Sequence, residues 1–140
     1  MRGNERIKGG TVILEAVYSY LTKDKALASA LGADPKDGKI YPNYAAITSR
    51  VPYIVYRSAN PGGSYDEVLS EEQITFVITS DEFAQTARIS GILTSLLDLN
   101  CGEIASSDYK IYYCKKIGGS DFMDELGRHC RAVNFIFKFK

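Results

Sequence analysis

The one histidine of this 140-residue chain, His129, stands beside Cys130, and Cys101 and Cys114 are its other two thiols. A thiol next to an imidazole is the raw material of a cysteine nucleophile or a zinc site. Zinc, however, takes four converging ligands in a structural site, or three and a water in a catalytic one, usually with short ligand spacings. Here the ligands are scattered and no CxxC pair occurs. A cysteine nucleophile also needs its histidine held as a base, and neighbours on a strand point to opposite faces, so His129 and Cys130 do not serve one another there. The expectation is small buried or idle thiols beside a surface histidine, with no metal, no cofactor and no enzymatic activity. Three cysteines also make an odd set, which argues for reduced thiols over a disulfide framework.

Two glycine pairs, Gly62 with Gly63 and Gly118 with Gly119, are the remaining chemical signals. Neither is followed by the Lys-Ser/Thr of a phosphate loop, and no third glycine opens a helix, so both read as turn glycines. The aromatic run "RAVNFIFKFK" has a superficial likeness to an RNA-recognition strand. The glycines of that motif are missing, the element order differs, and Phe135, Phe137 and Phe139 share a face with Val133, as core residues do. The net charge is zero, which denies the chain the broad cationic field that drives nucleic-acid binding. Direct nucleic-acid recognition is therefore not expected.

The charge is nonetheless uneven along the chain. Residues 1–50 hold eight basic and five acidic groups, residues 51–108 two and nine, and residues 109–140 seven and three. Patches of opposite sign could meet head to tail between copies of the chain, or interleave in space and cancel locally. Length and composition describe one soluble-type domain: 45% hydrophobic and 24% charged residues, with no apolar run long enough to span a membrane. The start, "MRGNERIKGG", lacks the apolar core of a signal peptide and reads as a flexible lead-in over residues 1–10. The chain is expected to be made and used inside a cell, or packaged from there.

The elements that must position these residues follow from periodicity. After Thr11 as N-cap, Ile13, Ala16, Val17, Tyr20 and Leu21 recur at helical spacing, and a second short helical pattern with Leu27, Ala30 and Leu31 ends at Gly32, so the region is an amphipathic helical hairpin or one broken helix. A turn, "GADPKDGK", leads to a short extended piece at residues 39–41, ended by Pro42. Residues 53–57 form a strand headed by Pro52, which cannot donate to a ladder and belongs at a strand's first position. "SANPGGSYDE" is a loop or hairpin tip, and "EEQITFVIT" returns as a strand with Ile74, Phe76 and Ile78 on one face. Thr79 and Glu82 fit a capping box for a long helix whose stripe is Ile89, Ile92, Leu93, Leu96 and Leu97, ending near residues 100–102. "YKIYYCKKI" is a third strand; a Gly-Gly turn and a short helix around "DFMDELG" then precede the last strand, which carries Val133, Phe135, Phe137 and Phe139 on one face. The expected fold class is α+β, residues 1–140 as a single domain, with a mostly antiparallel sheet of about four strands and two main helices packed on one face.

The stretch "KIYPNYAAITSRVPYIVYRSANPGG", with "IYP", a spacer of about ten residues, then "PYIVY" and a Gly/Pro-rich tip, resembles the tail-completion proteins of long-tailed bacteriophages, also called tail terminators or head-to-tail joining proteins. The likeness extends over residues 12–99 through the helical start, "ITFVIT" and the helix "DEFAQTARISGILTSLLDL", and is weaker beyond. It implies an α+β protein of the virion, assembled in the host cytoplasm. Copies would form a ring, a hexamer in that family, at the head-proximal end of the tail tube. The ring would stop tube polymerisation and join tail to head, with the tail tube protein and the head connector or head-completion protein as partners, and no membrane. Candidate interface residues are Arg57, Tyr65, Asp66 and Glu67 in and beside the polar loop of residues 57–72, and Lys115, Lys116 and Arg128 in the basic last third. The alternative is a small non-enzymatic α+β module binding nucleic acid or a small ligand, which fold class alone leaves open.

Overall fold

Alternation of Ile74, Phe76 and Ile78, and of Val133, Phe135, Phe137 and Phe139, marks two strands of eleven residues each, Ser70–Ser80 and His129–Phe139, which lie side by side within the sheet. The computed structural model describes residues 10–46, 49–59, 70–104 and 109–140. In chain order its elements are α1 (Gly10–Thr22), α2 (Lys25–Leu31), β1 (Ile40–Pro42), β2 (Tyr53–Ser58), β3 (Ser70–Ser80), α3 (Phe83–Leu97), a 3-10 turn (Cys101–Glu103), β4 (Ile111–Met123) and β5 (His129–Phe139). The sheet runs β1-β2-β3-β5-β4. It is antiparallel except where β1 pairs parallel to β2, Ile40 facing Ile54. This is the expected α+β architecture, with the helical start formed by two helices, and with one addition: Ile40–Pro42 is a fifth strand. Among the described residues no helix is long and apolar enough to cross a membrane.

The helices share one face of the sheet. Ile13, Val17 and Leu21 of α1, Leu27 and Leu31 of α2, and Ile89, Leu93 and Leu97 of α3 form one buried cluster with Ile54, Ile74, Phe76, Ile78, Val133, Phe135, Phe137 and Phe139. The Tyr20 hydroxyl donates to the Leu96 carbonyl at 2.9 Å and ties α1 to the end of α3. Helix α2 starts on Asp24, whose Oδ2 accepts from the Leu27 N–H at 2.9 Å, and stops at Gly32 with φ of 70°. Helix α1 already includes Gly10, so Thr11 lies within the helix and is not its N-cap residue. Strand β2 begins at Tyr53, so Pro52 stands at its head as expected; the Val51–Pro52 bond is cis.

Three local expectations are corrected. Strand β3 runs on through Ser80, so Thr79 is held in the ladder opposite Tyr53 and Cys130. Glu82 is the N-cap residue of α3 and makes no side-chain cap bond; Ser80 instead ties the strand end to the helix start, its Oγ accepting from the Glu82 N–H at 3.0 Å and donating to Gln85 Oε1 at 2.6 Å. Gly118 and Gly119 are not a turn; they lie inside β4, just past a bulge between Lys116 and Gly118. Nor does "DFMDELG" form a helix. β4 continues to Met123, and Asp124 builds the turn: its Oδ1 accepts from the N–H of Leu126 at 2.9 Å and of Arg128 at 3.0 Å, while Gly127 supplies a φ of 75°.

At Gly119 the backbones approach so closely that an added Cβ would sit 2.2 Å from the Ala132 carbonyl oxygen. Gly91, exposed on α3, has nothing within 4 Å of that position. Gly119→Ala is expected to lower stability by about 1–3 kcal/mol because strand backbone must move, and Gly91→Ala to raise it by about 0.5–1 kcal/mol. Urea midpoints of the two variants should move in opposite directions; movement in the same direction would contradict the close approach.

Candidate interaction surface

The face of the sheet away from the helices is built by the alternate residues of each strand. Register sets Arg57, Thr75, Asn134 and Gly118 in one row, with Val55, Val77, Ala132 and Ser120 in the next. The Thr75 hydroxyl donates to Asn134 Oδ1 at 2.6 Å, which satisfies two polar groups across the central pair. No described helix covers this face; its edges carry Arg57, Lys115 and Lys138, the last over the Tyr113 ring at 6.0 Å. One end is different. The connection from β1 brings Ala45 and Ala46 beside Tyr53, and these line a cleft of about 540 Å³ with Met123, Asp124, Glu125, Leu126 and Arg128 of the β4-β5 turn.

Of the residues singled out by sequence, Arg57 is exposed at the end of β2, and Lys115 and Lys116 are exposed on β4. Arg57 and Lys115 share the open face but stand at opposite sides of it. Arg128 is absorbed by its own turn: its Nε donates to Asp124 Oδ2 at 2.8 Å and its guanidinium lies 5.7 Å from the Tyr53 ring centre. Tyr65, Asp66 and Glu67 lie outside the described residues, as do Gly62 and Gly63 and residues 1–9 of the lead-in. His129 and Cys130 point to opposite faces as alternation demands. His129 meets the Phe83 ring, and the buried Cys130 lies 3.5 Å from Thr79 Oγ1. Among the described residues no group of three or more His, Cys, Asp or Glu converges on a metal position.

The opposed charges of the C-terminal third partly cancel locally. Asp121 binds Arg131 through two bonds, Nε to Oδ1 at 2.6 Å and a second to Oδ2 at 3.0 Å. That contact holds the Asp121 carboxyl below the usual range, and the Arg131 guanidinium lies over Phe83 at 5.5 Å. Arg128 is paired as well, while Lys115 and Lys116 of β4 are exposed and have no ion pair among the described residues.

Sequence reasoning missed Glu72. Its side chain is fully buried on the helix-facing side, in line with Ile74, Phe76 and Ile78. The Ser58 hydroxyl donates to Glu72 Oε2, and Oε1 has no partner among the described residues. Burial pushes this carboxyl up, with the Ser58 bond opposing. The signal was present: carrying the alternation one step back from Ile74 puts Glu72 on the core face.

Comparison with known proteins bears on the fold. No family model matches the chain, and no curated protein sequence matches it. Among solved structures, a chain from the virion of a native gene transfer agent (GTA) particle is similar at a TM-score of 0.68 and 15% identity, over 92% of this chain and 93% of that one. A second solved chain, without a functional name, is similar at 0.55 and 10% identity, over 93% of this chain and 94% of its own. The α+β arrangement is thus shared from end to end with a component of a virion particle.

A carboxyl raised by burial binds its proton more tightly in the folded chain. The cost of Glu72 is therefore absent at pH below the ordinary carboxylate range and grows as pH rises through that range toward the raised folded value. Glu72→Gln removes it. The melting midpoint of the variant relative to the parent is expected to climb steadily from acid to neutral pH, and a difference that does not change with pH would contradict the burial of an ionisable Glu72.

Proposed function

We propose that this chain is a structural protein of a phage or phage-like particle, and within it the tail-completion subunit. Copies form a ring on the head-proximal end of the tail tube, end tube growth and dock the tail to the head connector or head-completion protein. The observation that carries the reading is the end-to-end likeness of fold to a chain of a gene transfer agent virion. The "IYP" and "PYIVY" pattern supports the finer assignment: these residues are β1 and β2, the parallel pair at one side of the sheet. A sheet face without helices, edged by Arg57, Lys115 and Lys138, suits a protein whose work is to be covered by others. On this reading the chain is not an enzyme, holds no cofactor and resides in the virion after assembly in the host cytoplasm.

The test is deletion of the gene from the phage or prophage that encodes it, followed by electron microscopy of the lysate. Filled heads lying apart from tails, with abnormal or overlong tubes, are the expected outcome. Normally joined particles would overturn the assignment.

A further inference from the structure

Strand β4 is one border of the sheet, and only half of that border is closed. Beside α3's exit, the Leu99 N–H donates to the Cys114 carbonyl at 2.7 Å and the Lys116 N–H to Asp98 Oδ1 at 2.8 Å. Beyond Lys116 none of the described residues bonds to the open side. Because Asp124 turns its N–H to the Arg128 carbonyl (3.1 Å), alternation leaves Met123, Asp121 and Gly119 with their backbone groups facing outward. The open stretch is residues 117–123, bounded by the Asp98 cap at one end and the turn at the other. It carries Ile117 at 47%, Phe122 at 45% and Met123 at 58% exposure. An open, apolar edge of this length is a template for another strand.

We propose that this edge pairs with the same edge of a second copy of the chain, antiparallel about a two-fold axis at Ser120. Three independent features select the second copy and this register. The open stretch is centred on Ser120, so two copies end together. The axis sets Lys115 of one copy against Glu125 of the other, an exposed acid without an ion pair among the described residues, and brings Lys116 beside Asp124, which already holds Arg128. It also lays Phe122 over Gly118 of the other copy, where an aromatic ring covers backbone that has no side chain of its own, and Ile117 against Met123. Sliding by one residue pair in one direction would bring Asp121 against Asp121, and in the other would set Lys116 against Phe122. Outward groups at Gly119 and Asp121 then exchange hydrogen bonds twice across the axis. Such a contact is isologous and stops at two copies, so it is distinct from the heterologous contact that builds a ring and does not depend on the ring reading. It closes the exposed edge in the free subunit. Seven residues a side make a small interface, which fits a weak, displaceable dimer with a dissociation constant on the order of 10–100 µM.

Sedimentation velocity of the full chain across that concentration range is expected to show a monomer–dimer equilibrium. Each lysine/acid contact occurs twice by symmetry, so Lys115→Glu with Lys116→Glu should weaken it about tenfold, and adding Glu125→Lys should restore much of the loss. Ser120→Cys places two thiols on the axis, and mild oxidation should join them far faster than the thiols of Lys36→Cys on the opposite side of the sheet. The proposal is overturned by a chain that stays monomeric throughout, by charge reversal that leaves the dimer unchanged, or by Ser120→Cys that cross-links no faster than Lys36→Cys.

Discussion

The pairing of β3 with β5 over eleven residue pairs, from Ser70 with Phe139 to Ser80 with His129, is the constraint on which the other elements depend. It sets Ile74, Phe76, Ile78, Val133, Phe135 and Phe137 on one surface, each at most 1% exposed. The Phe76 and Phe135 rings meet edge to face at 5.7 Å. Burying each such side chain contributes about 1.5–3 kcal/mol, against a net stability of about 5–15 kcal/mol for a typical domain. A one-residue slip would turn this whole row outward, so register and core are one specification. Helices α1 and α3 then have only one apolar surface to cover. Strand β2 extends that surface through Ile54 and Tyr56, and β4 through Ile111 and Cys114.

Glu72 sits within the same row and shows how strongly register overrides residue preference. Its burial is unfavourable to the charged form. Yet moving it outward would require shifting Ile74, Phe76 and Ile78 as well, whose burial is worth far more. The Ser58 hydroxyl across the strand pair satisfies one oxygen and reduces the cost.

What was legible in the sequence followed from strong periodicity. The apolar stripe of α3, the Gly32 stop of α2, and the strands containing Ile54, Phe76 and Phe135 all have a period that only one structure satisfies. Residues 118–123 have no such period because both sides of that strand segment are exposed, so nothing in the pattern distinguishes strand from turn. Glycine was ambiguous for the same reason. Gly118 and Gly119 serve a bulge and a close approach to Ala132, a contact with a residue thirteen positions from Gly119 that a local reading does not see. The turn was in the sequence too, at Asp124 and Gly127, but the glycine pair was the louder signal. The parallel pairing of β1 depended on where a ten-residue connection returns, which composition does not determine. For the candidate surface, charge marked Arg57, Lys115 and Lys116 as exposed, while Arg128 was marked with them and proved to be held by Asp124 and Tyr53.

The molecule is therefore held together unequally. Where helices cover the sheet, apolar burial fixes the structure. The outer half of the β4-β5 hairpin has little of that support; a bulge, two ion pairs and an Asp-built turn give it shape. Exposed ion pairs contribute little to stability, about 0–1 kcal/mol each, but bidentate ones fix geometry. A segment specified this way keeps its register while leaving Ile117, Phe122, Met123 and Leu126 in solvent. Folding alone does not account for four large apolar side chains on one exposed hairpin, since none of them closes the core. Their placement follows if the hairpin's apolar surface is completed by another chain. The helix-covered half then acts as the anchor that presents it.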